Sequence, residues 1–178
     1  MKNTLLSAAL AAVIAAAAFI PTAHAANTGT INFTGRVLAD TCTITVNNGA
    51  SVVLPNVSTL AFGGAAGNTA GTTPAFNIAL SNCDTNTTKA NMAFTVGANV
   101  DTTTGNLKNA TSGGSNVQIQ LLNSSNAVIN TATNANAPVI TVAAGAGQTQ
   151  LTARYISTVA ATTPGLVTSS VGFTLTYL

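Results

Sequence analysis

The last fourteen residues of the chain alternate between apolar and polar side chains. One parity of this stretch is apolar apart from Ser169, and it comprises Val167, Val171, Phe173, Leu175 and Tyr177. Side chains of an extended chain point alternately to opposite faces, so the pattern predicts a strand with one apolar and one polar face. An apolar strand without a neighbour is prone to aggregate. Any fold for this chain must therefore explain what covers the final strand.

Further short stretches with the same alternation are separated by turns, and they lie at residues 29–35, 75–83, 92–96, 117–121, 139–142 and 151–156. Asn47, Asn48 and Gly49 predict a hairpin turn, because Asn-Gly readily adopts the positive φ that such turns need. This hairpin would join a strand that carries Cys42 to a short strand at residues 51–54. Beyond residue 25, no stretch has a helical period. These features predict a single all-β domain of the β-sandwich class.

The N-terminal residues have the features of a secretory signal peptide. Lys2 is followed by an apolar, alanine-rich run from about Leu5 to Ile20, and small residues precede Ala26. This order predicts a signal peptide at residues 1–25 with cleavage after Ala25. The run is short for a transmembrane helix and lacks a positively charged stop, which disfavours that alternative. The exported part, residues 26–178, is long enough for one domain with a core.

The exported part carries very little charge. It has no Glu and no His, and its charged residues are Arg36, Lys89, Lys108, Arg154, Asp40, Asp84 and Asp101. A nearly neutral surface disfavours nucleic acid as a partner. Acid–base catalysis usually needs a histidine or paired carboxylates, and a Ser or Thr nucleophile needs an activating base. We therefore expect no enzyme activity, no cofactor, no metal site and no small-molecule substrate.

Both cysteines, Cys42 and Cys83, lie in the exported part. An even number of cysteines behind a signal peptide favours one disulfide formed in an oxidising compartment. A metal site is the alternative, but no histidine and no nearby third ligand support it. Closing a loop of this length would stabilise the fold by roughly 4 kcal/mol in the chain-entropy treatment.

Several motifs, in order along the chain, resemble those of chaperone–usher pilus subunits, and most closely those of the major subunit of type 1 fimbriae. Residues 29–35 resemble the N-terminal segment of that family, Cys42 its first cysteine, and residues 76–86 its second cysteine block. Residues 153–155 and 161–165 match two later signatures. The C-terminal strand has a glycine fourteenth from the end and a penultimate tyrosine, as in the family. The resemblance spans nearly all of the exported part.

The resemblance implies an immunoglobulin-like, Greek-key sandwich that lacks its final strand and is completed by a donor strand from another chain. Residues 26–34 would form the donor-strand extension, with Gly29, Ile31 and Phe33 as donor residues. Residues 35–178 would form the immunoglobulin-like domain. The acceptor groove, which is also the chaperone-binding strand, would comprise Gly165, Val167, Val171, Phe173, Leu175 and Tyr177.

The function implied is that of a structural subunit of a pilus rod that supports cell adhesion. Its partners would be identical or homologous subunits in a head-to-tail polymer, a periplasmic chaperone and an outer-membrane usher. The chain would be exported through the periplasm to a fimbria on the cell surface. A minor subunit with an adaptor, terminator or adhesive role is an alternative. Another is a self-contained secreted binding module, in which residues 31–33 complete their own sandwich.

The donor-strand extension is short for this role. Residues 26–33 span about 26 Å at ~3.3 Å per residue, and the final strand is longer. Either a short donor strand suffices for polymerisation, or the signal peptide is cleaved at another position.

Overall fold

The structure, a computed structural model, describes residues 30–34 and 41–178. Residues 1–29, which include the predicted signal peptide and the start of the donor-strand extension with Gly29, lie outside the described residues, as do residues 35–40. The chain divides into two units, residues 1–36 and residues 37–178. Within the described residues, no helix has both the length and the apolar character needed to cross a membrane.

The described part of the second unit is built from strands and contains no α-helix. Two short 3-10 helices occupy Asn47–Gly49 and Thr59–Phe62. The strands are β1 (Thr43–Val46), β2 (Thr69–Ala70), β3 (Phe76–Ser81), β4 (Lys89–Thr95), β5 (Leu107–Lys108), β6 (Val117–Leu122), β7 (Val128–Ile129), β8 (Val139–Ala143), β9 (Ala146–Ser157) and β10 (Gly172–Tyr177). The all-β prediction is confirmed.

The strands pair antiparallel in the order β1-β3-β9-β8-β4-β10. Off this path, β2 and β6 each pair with β9, and β5 and β7 each pair with β6. The long strand β9 curls the sheet. Its first part pairs with β3, where Leu151 faces Phe76, and its second part pairs with β6, where Tyr155 faces Ile119. A two-residue turn containing Gly145 links β9 to β8. The curled sheet wraps around one shared core.

The core is formed by the apolar parity of each alternating strand. Alternate residues of β3 and β4 are buried, whereas every residue of β6 is buried. The buried side chains form a single hydrophobic cluster whose members from strands β3, β4, β6, β8 and β9 include Ile78, Leu80, Met92, Phe94, Ile119, Leu121, Ile140, Val142 and Leu151. Burial of each such side chain stabilises the fold by about 1.5–3 kcal/mol relative to leaving it in water.

The predicted disulfide between Cys42 and Cys83 is present, with the two Cα atoms 4.1 Å apart. It lies beside the β1–β3 ladder, in which Ile44 faces Leu80. The covalent bond and the ladder together fix β1 at one end of the strand order.

The hairpin predicted around Asn48 is wrong, although the turn itself forms. Asn47, Asn48 and Gly49 adopt φ values of 46°, 54° and 84°, and the Ala50 amide donates to the Asn47 carbonyl at 3.0 Å. However, β1 pairs with β3, and residues 51–54 form no strand in the described structure. The disulfide and the apolar partners on β3 hold β1, so the segment after the turn leaves the ladder.

Candidate functional site

Strand β10 is at the end of the strand order and has a ladder partner on one side only. Its neighbour is β4, with Gly172 facing Thr95 and Tyr177 facing Ala90. The last residue extends this pairing, because the Leu178 amide donates to the Lys89 carbonyl at 2.9 Å. Within residues 41–178, no strand pairs with the other edge of β10.

The free edge of β10 presents backbone groups of one parity. In a strand, the N–H and C=O of one residue point to the same side, and those of the next residue point to the opposite side. Leu178 directs both groups towards β4, so Phe173, Leu175 and Tyr177 direct theirs away from it. The side chains of the same three residues are half-buried against the core. These residues therefore offer an apolar face together with unpaired hydrogen-bonding groups.

The segment before β10, residues 161–171, continues this edge and is called the wall here. The sequence predicted a strand from residue 165, but the ladder begins only at Gly172. The wall nevertheless keeps the alternation, since Val167, Ser169 and Val171 are half-buried while the residues between them are exposed. Thr168 points the other way, where its carbonyl accepts from the Ala110 amide at 2.7 Å. The wall thus keeps the alternation of a strand from Val167 to Val171, although no ladder forms there.

An open apolar groove runs along this edge. Its inner part has a volume of about 190 Å³ and lies between Val171 and Phe173 on one side and Val46, Val52 and Leu54 on the other. Core residues form its floor, among them Phe76, Ile78, Phe94, Ile119, Leu121 and Leu151. The outer part has a volume of about 740 Å³ and shares Val52 and Leu54 with the inner part. The two parts therefore adjoin at Val52 and Leu54 and are treated as one groove.

The residues predicted to form an acceptor groove are distributed along it. Gly165 and Val167 line the outer part, and Val171 and Phe173 line the inner part. Leu175 and Tyr177 follow on β10 and pack against the same core. The structure therefore brings all six residues together along one edge.

Gly165 occupies a position that only glycine suits. Its φ is 151°, and a Cβ there would lie 2.6 Å from the Ser115 nitrogen. The facing residue is also a glycine, since a Cβ on Gly114 would collide with the Leu166 carbonyl oxygen. The wall thus crosses the loop before β6 in direct backbone contact.

Sequence reasoning missed the far side of the groove. Val52 and Leu54 face the final strand across it, and Tyr155 lines its outer part. The alternation of Val52 and Leu54 is visible in the sequence, but beside a turn motif it indicates a hairpin rather than a groove. Asn109 and Asn116, which bind the wall, were also missed, because asparagine is too common in this chain to stand out.

The groove is electrically neutral, since none of its lining residues carries a charged side chain. Burial raises the pKa of the Tyr155 hydroxyl above its ordinary value of 10.0. A tyrosine hydroxyl is neutral at physiological pH even without this shift. The described residues contain no cluster of His, Cys, Asp or Glu suited to a metal ion. Such a groove suits an uncharged, extended, apolar segment.

The described part of the first unit, residues 30–34, has the matching pattern. Ile31 and Phe33 share one parity and are 78% and 90% exposed. Thr30, Asn32 and Thr34 fall on the other parity and are also exposed. Gly29, the third predicted donor residue, lies outside the described residues.

Comparison with known sequences gives consistent matches. The family described as "Fimbrial protein" matches residues 31–178. The chain is 40% identical over 181 residues to the major fimbrial subunit SMF-1 of Stenotrophomonas maltophilia, covering 88% of this chain and 96% of that protein. It is 38% identical over 158 residues to the F17 fimbrial protein of Escherichia coli, covering 84% and 87%.

Solved structures agree with the fold. The Burkholderia pseudomallei antigen and type I fimbria protein BPSL1626 is 31% identical, with a TM-score of 0.54 over 84% of this chain and 97% of that one. A chaperone–usher pilus structure has a TM-score of 0.56 at 23% identity, over 89% of this chain and 100% of that one. The predicted pilin-type immunoglobulin-like fold is confirmed.

Proposed function

The chain belongs to the fimbrial protein family and is a structural pilin of a cell-surface fimbria, and from this premise we propose that it polymerises by donor-strand complementation. The N-terminal segment of one subunit, with Gly29, Ile31 and Phe33 as its donor residues, occupies the groove of the next. The acceptor residues are Gly165, Val167, Val171, Phe173, Leu175 and Tyr177. Because donor and acceptor are different surfaces, the contact does not close on itself and propagates into a filament.

The observation that carries this proposal is the free edge formed by the wall and β10. An added strand would pair with the unbonded backbone groups of Phe173, Leu175 and Tyr177 and would cover their half-buried side chains. Donor-strand complementation of pilins is an established example of strand addition, in which main-chain bonds supply affinity and pockets supply specificity. The exposed Ile31 and Phe33 supply side chains of the right period for such pockets.

The expected gain in free energy favours a stable contact between the donor strand and the groove of the next subunit. Burying Ile31 and Phe33 contributes roughly 1.5–3 kcal/mol each, and each ladder hydrogen bond adds about 0.5–1.5 kcal/mol. Residues 165–177 would span about 43 Å when fully extended, against about 26 Å for residues 26–33. A donor of this length therefore covers part of the groove, and we place it where the groove is most apolar, over Val171 and Phe173.

The same free edge requires protection before assembly, because an exposed apolar strand edge aggregates. We propose that a periplasmic chaperone covers it with a strand of its own during export, and that an outer-membrane usher catalyses the exchange for the next subunit. The disulfide Cys42–Cys83 fits passage through an oxidising compartment.

We assign the chain to the repeating rod rather than to a minor role. The relative with 40% identity is a major fimbrial subunit. A terminator would lack a usable donor segment, whereas Ile31 and Phe33 are present here. A self-contained module, the remaining alternative, would bury both residues within its own chain and remain monomeric.

Electrophoresis of the exported protein in SDS, with and without boiling, tests the proposal when it is paired with N-terminal sequencing. A ladder of oligomers that boiling collapses to one band, with Ala26 at the N-terminus, is the expected result. A single monomer band in both lanes would overturn strand exchange and favour the self-contained module. An N-terminus other than Ala26 would move the boundary of the donor segment.

A further inference from the structure

Asparagine side chains attach the wall to the rest of the domain. Asn109 donates through Nδ2 to the carbonyl oxygens of Leu166 and Ser115, both at 2.8 Å. Its Oδ1 accepts from the amides of Thr168 and Thr111, both at 3.0 Å. This one side-chain amide therefore makes four hydrogen bonds, two of them to the wall.

Asn116 and Asn99 bind the wall on either side of that point. Asn116 Nδ2 donates to the Ala161 carbonyl at 2.8 Å, and Asn116 Oδ1 accepts from the Thr163 amide at 2.9 Å. Asn99 Nδ2 contacts the Ser170 hydroxyl at 3.1 Å. Asn109 and Asn116 each donate to one wall carbonyl and accept from one wall amide, which is the pattern that a strand residue would supply.

Direct backbone bonds to the wall are few by comparison. Within the described residues they are the Ala110 amide to the Thr168 carbonyl at 2.7 Å and the Ser115 amide to the Leu166 carbonyl at 3.3 Å. Strand β10, in contrast, pairs with β4 over its whole length. The two halves of the free edge are thus held in different ways, one by a ladder and one mainly by side chains.

We propose that Asn109 and Asn116, supported by Asn99, are positioning residues for strand acceptance. They occupy the side of the wall where a neighbouring strand would lie. The other edge of the wall carries the backbone groups of Val167 and Ser169, which have no partner among the described residues. The asparagine bonds keep this edge in line with the free edge of β10. This inference rests on the proposed function. It adds that side chains, not a ladder, set the register of the donor strand along the outer part of the groove.

The substitution Asn109→Asp tests the assignment most directly. It preserves the shape of the side chain but removes both N–H donors. It also places a negative charge against the carbonyl oxygens of Leu166 and Ser115. Asn99→Ala is a milder variant, since it removes only the contact with Ser170. Asn123→Asp is the matched control, because Asn123 also bridges backbone groups, donating to Asn136 at 3.2 Å, but does so in a turn outside the groove.

Binding is measured with a fluorescent peptide of residues 26–36 and the full chain carrying Phe33→Asp, so that the protein does not act as its own donor. Each variant is refolded with its disulfide intact, the peptide is bound, and its dissociation is followed. We expect dissociation to be about tenfold faster for Asn109→Asp, the effect of losing about one hydrogen bond of ordinary strength. Asn99→Ala should give a smaller increase, and Asn123→Asp should match the parent.

Hydrogen exchange separates positioning from general destabilisation. In the parent, bound peptide should protect the amides of Val167 and Ser169 as well as those of Phe173 and Leu175. In Asn109→Asp, protection should be lost at the first pair and kept at the second. A merely structural role would weaken protection equally at both pairs.

The possible results separate this inference from the proposed function. Equal dissociation rates and equal protection in Asn109→Asp, Asn99→Ala and the parent would overturn the positioning role, as would an equal loss in Asn123→Asp. If the peptide binds neither the parent nor any variant, the proposed function fails instead. In that case, exchange at the Thr163 and Thr168 amides of the free protein still tests whether asparagine side chains hold the wall.

Discussion

Strands β4 and β10 are neighbours in one ladder and have the same alternation, yet they are buried to different extents. The inward residues Ala90, Met92 and Phe94 of β4 are 0%, 4% and 5% exposed, and their cross-strand partners on β10 are the half-buried Tyr177, Leu175 and Phe173. Side-chain character does not explain the difference, because both rows are apolar.

The difference comes from how many edges of each strand are covered. Strand β4 has β10 on one edge, and its other edge is covered by β8 at Lys89–Asn91 and then by Pro138 and Asn134, which accept from the Met92 and Phe94 amides. Within residues 41–178, β10 has a ladder partner on one side only. An inward side chain of a sheet is covered by the opposite layer and by both flanking strands. The residual exposure of Phe173, Leu175 and Tyr177 therefore measures the cover that the proposed donor strand would supply.

The largest expected effect follows from removing β10. Deleting residues 174–178 would expose the inward face of β4 and leave the β4 edge unpaired, so we expect no stable protein in the periplasm. Immunoblotting of periplasmic fractions measures this. The variant Thr176→Ala changes an exposed side chain of the same strand and should accumulate normally. Wild-type levels of the truncated protein would show that β10 is dispensable for folding.

A donor strand that cannot enter the groove should leave the subunit intact but prevent assembly. Phe33→Asp places a charge in an apolar groove, where an unpaired charge is strongly disfavoured. We expect the SDS-resistant oligomer ladder to disappear while the monomer remains. Asn32→Asp introduces the same charge on the opposite parity and should still polymerise. Fibres of normal length from Phe33→Asp would contradict the donor role.

The contrast between β4 and β10 can be measured by truncating one phenylalanine side chain on each strand. Phe94→Ala should destabilise the free subunit by about 3–5 kcal/mol, the usual cost for a buried phenylalanine. Phe173→Ala should cost clearly less in the free subunit, because Phe173 is only half-buried, and more once the groove is filled. Denaturant unfolding with and without the 26–36 peptide compares the two. Equal costs in the free subunit would remove the basis for an unfilled groove.

The smallest effect concerns pH. Hydrogen bonds from Gln118 Nε2 at 2.6 Å and from the Thr103 amide at 2.9 Å hold the pKa of Asp101 below its usual value of 3.8. A carboxyl group with a lowered pKa stabilises the folded state above its unfolded pKa, and this contribution disappears as pH falls through the folded pKa. Stability should therefore decline below about pH 4, and less so in Asp101→Asn. The difference between Phe94→Ala and Phe173→Ala should persist from pH 4 to 8, since neither strand carries a carboxylate.

Much of the fold was predictable because alternation is a local property. The parity of β3, β4, β6 and β10 identified inward residues such as Ile78, Phe94 and Phe173, and the cysteine count predicted the disulfide. The hairpin after Asn48 was wrong because a turn sequence fixes local φ values but not the strand that pairs next. The start of the final strand was also wrong, since side chains of Asn109 and Asn116 replace the ladder along the wall, and no local pattern announces such contacts.

The sequence by itself determined the all-β class, the inward parity of β3, β4 and β10, the disulfide and the membership of the fimbrial family, since all of these depend on residue type and spacing. Only the tertiary structure decided which strand edges meet. Strand β1 pairs with β3, so Val46, Val52 and Leu54 lie opposite Val171 and Phe173 across an open groove. The physical reason is that alternation specifies which face of a strand is buried, whereas neighbours are chosen by long-range competition among all apolar faces and backbone edges of the chain.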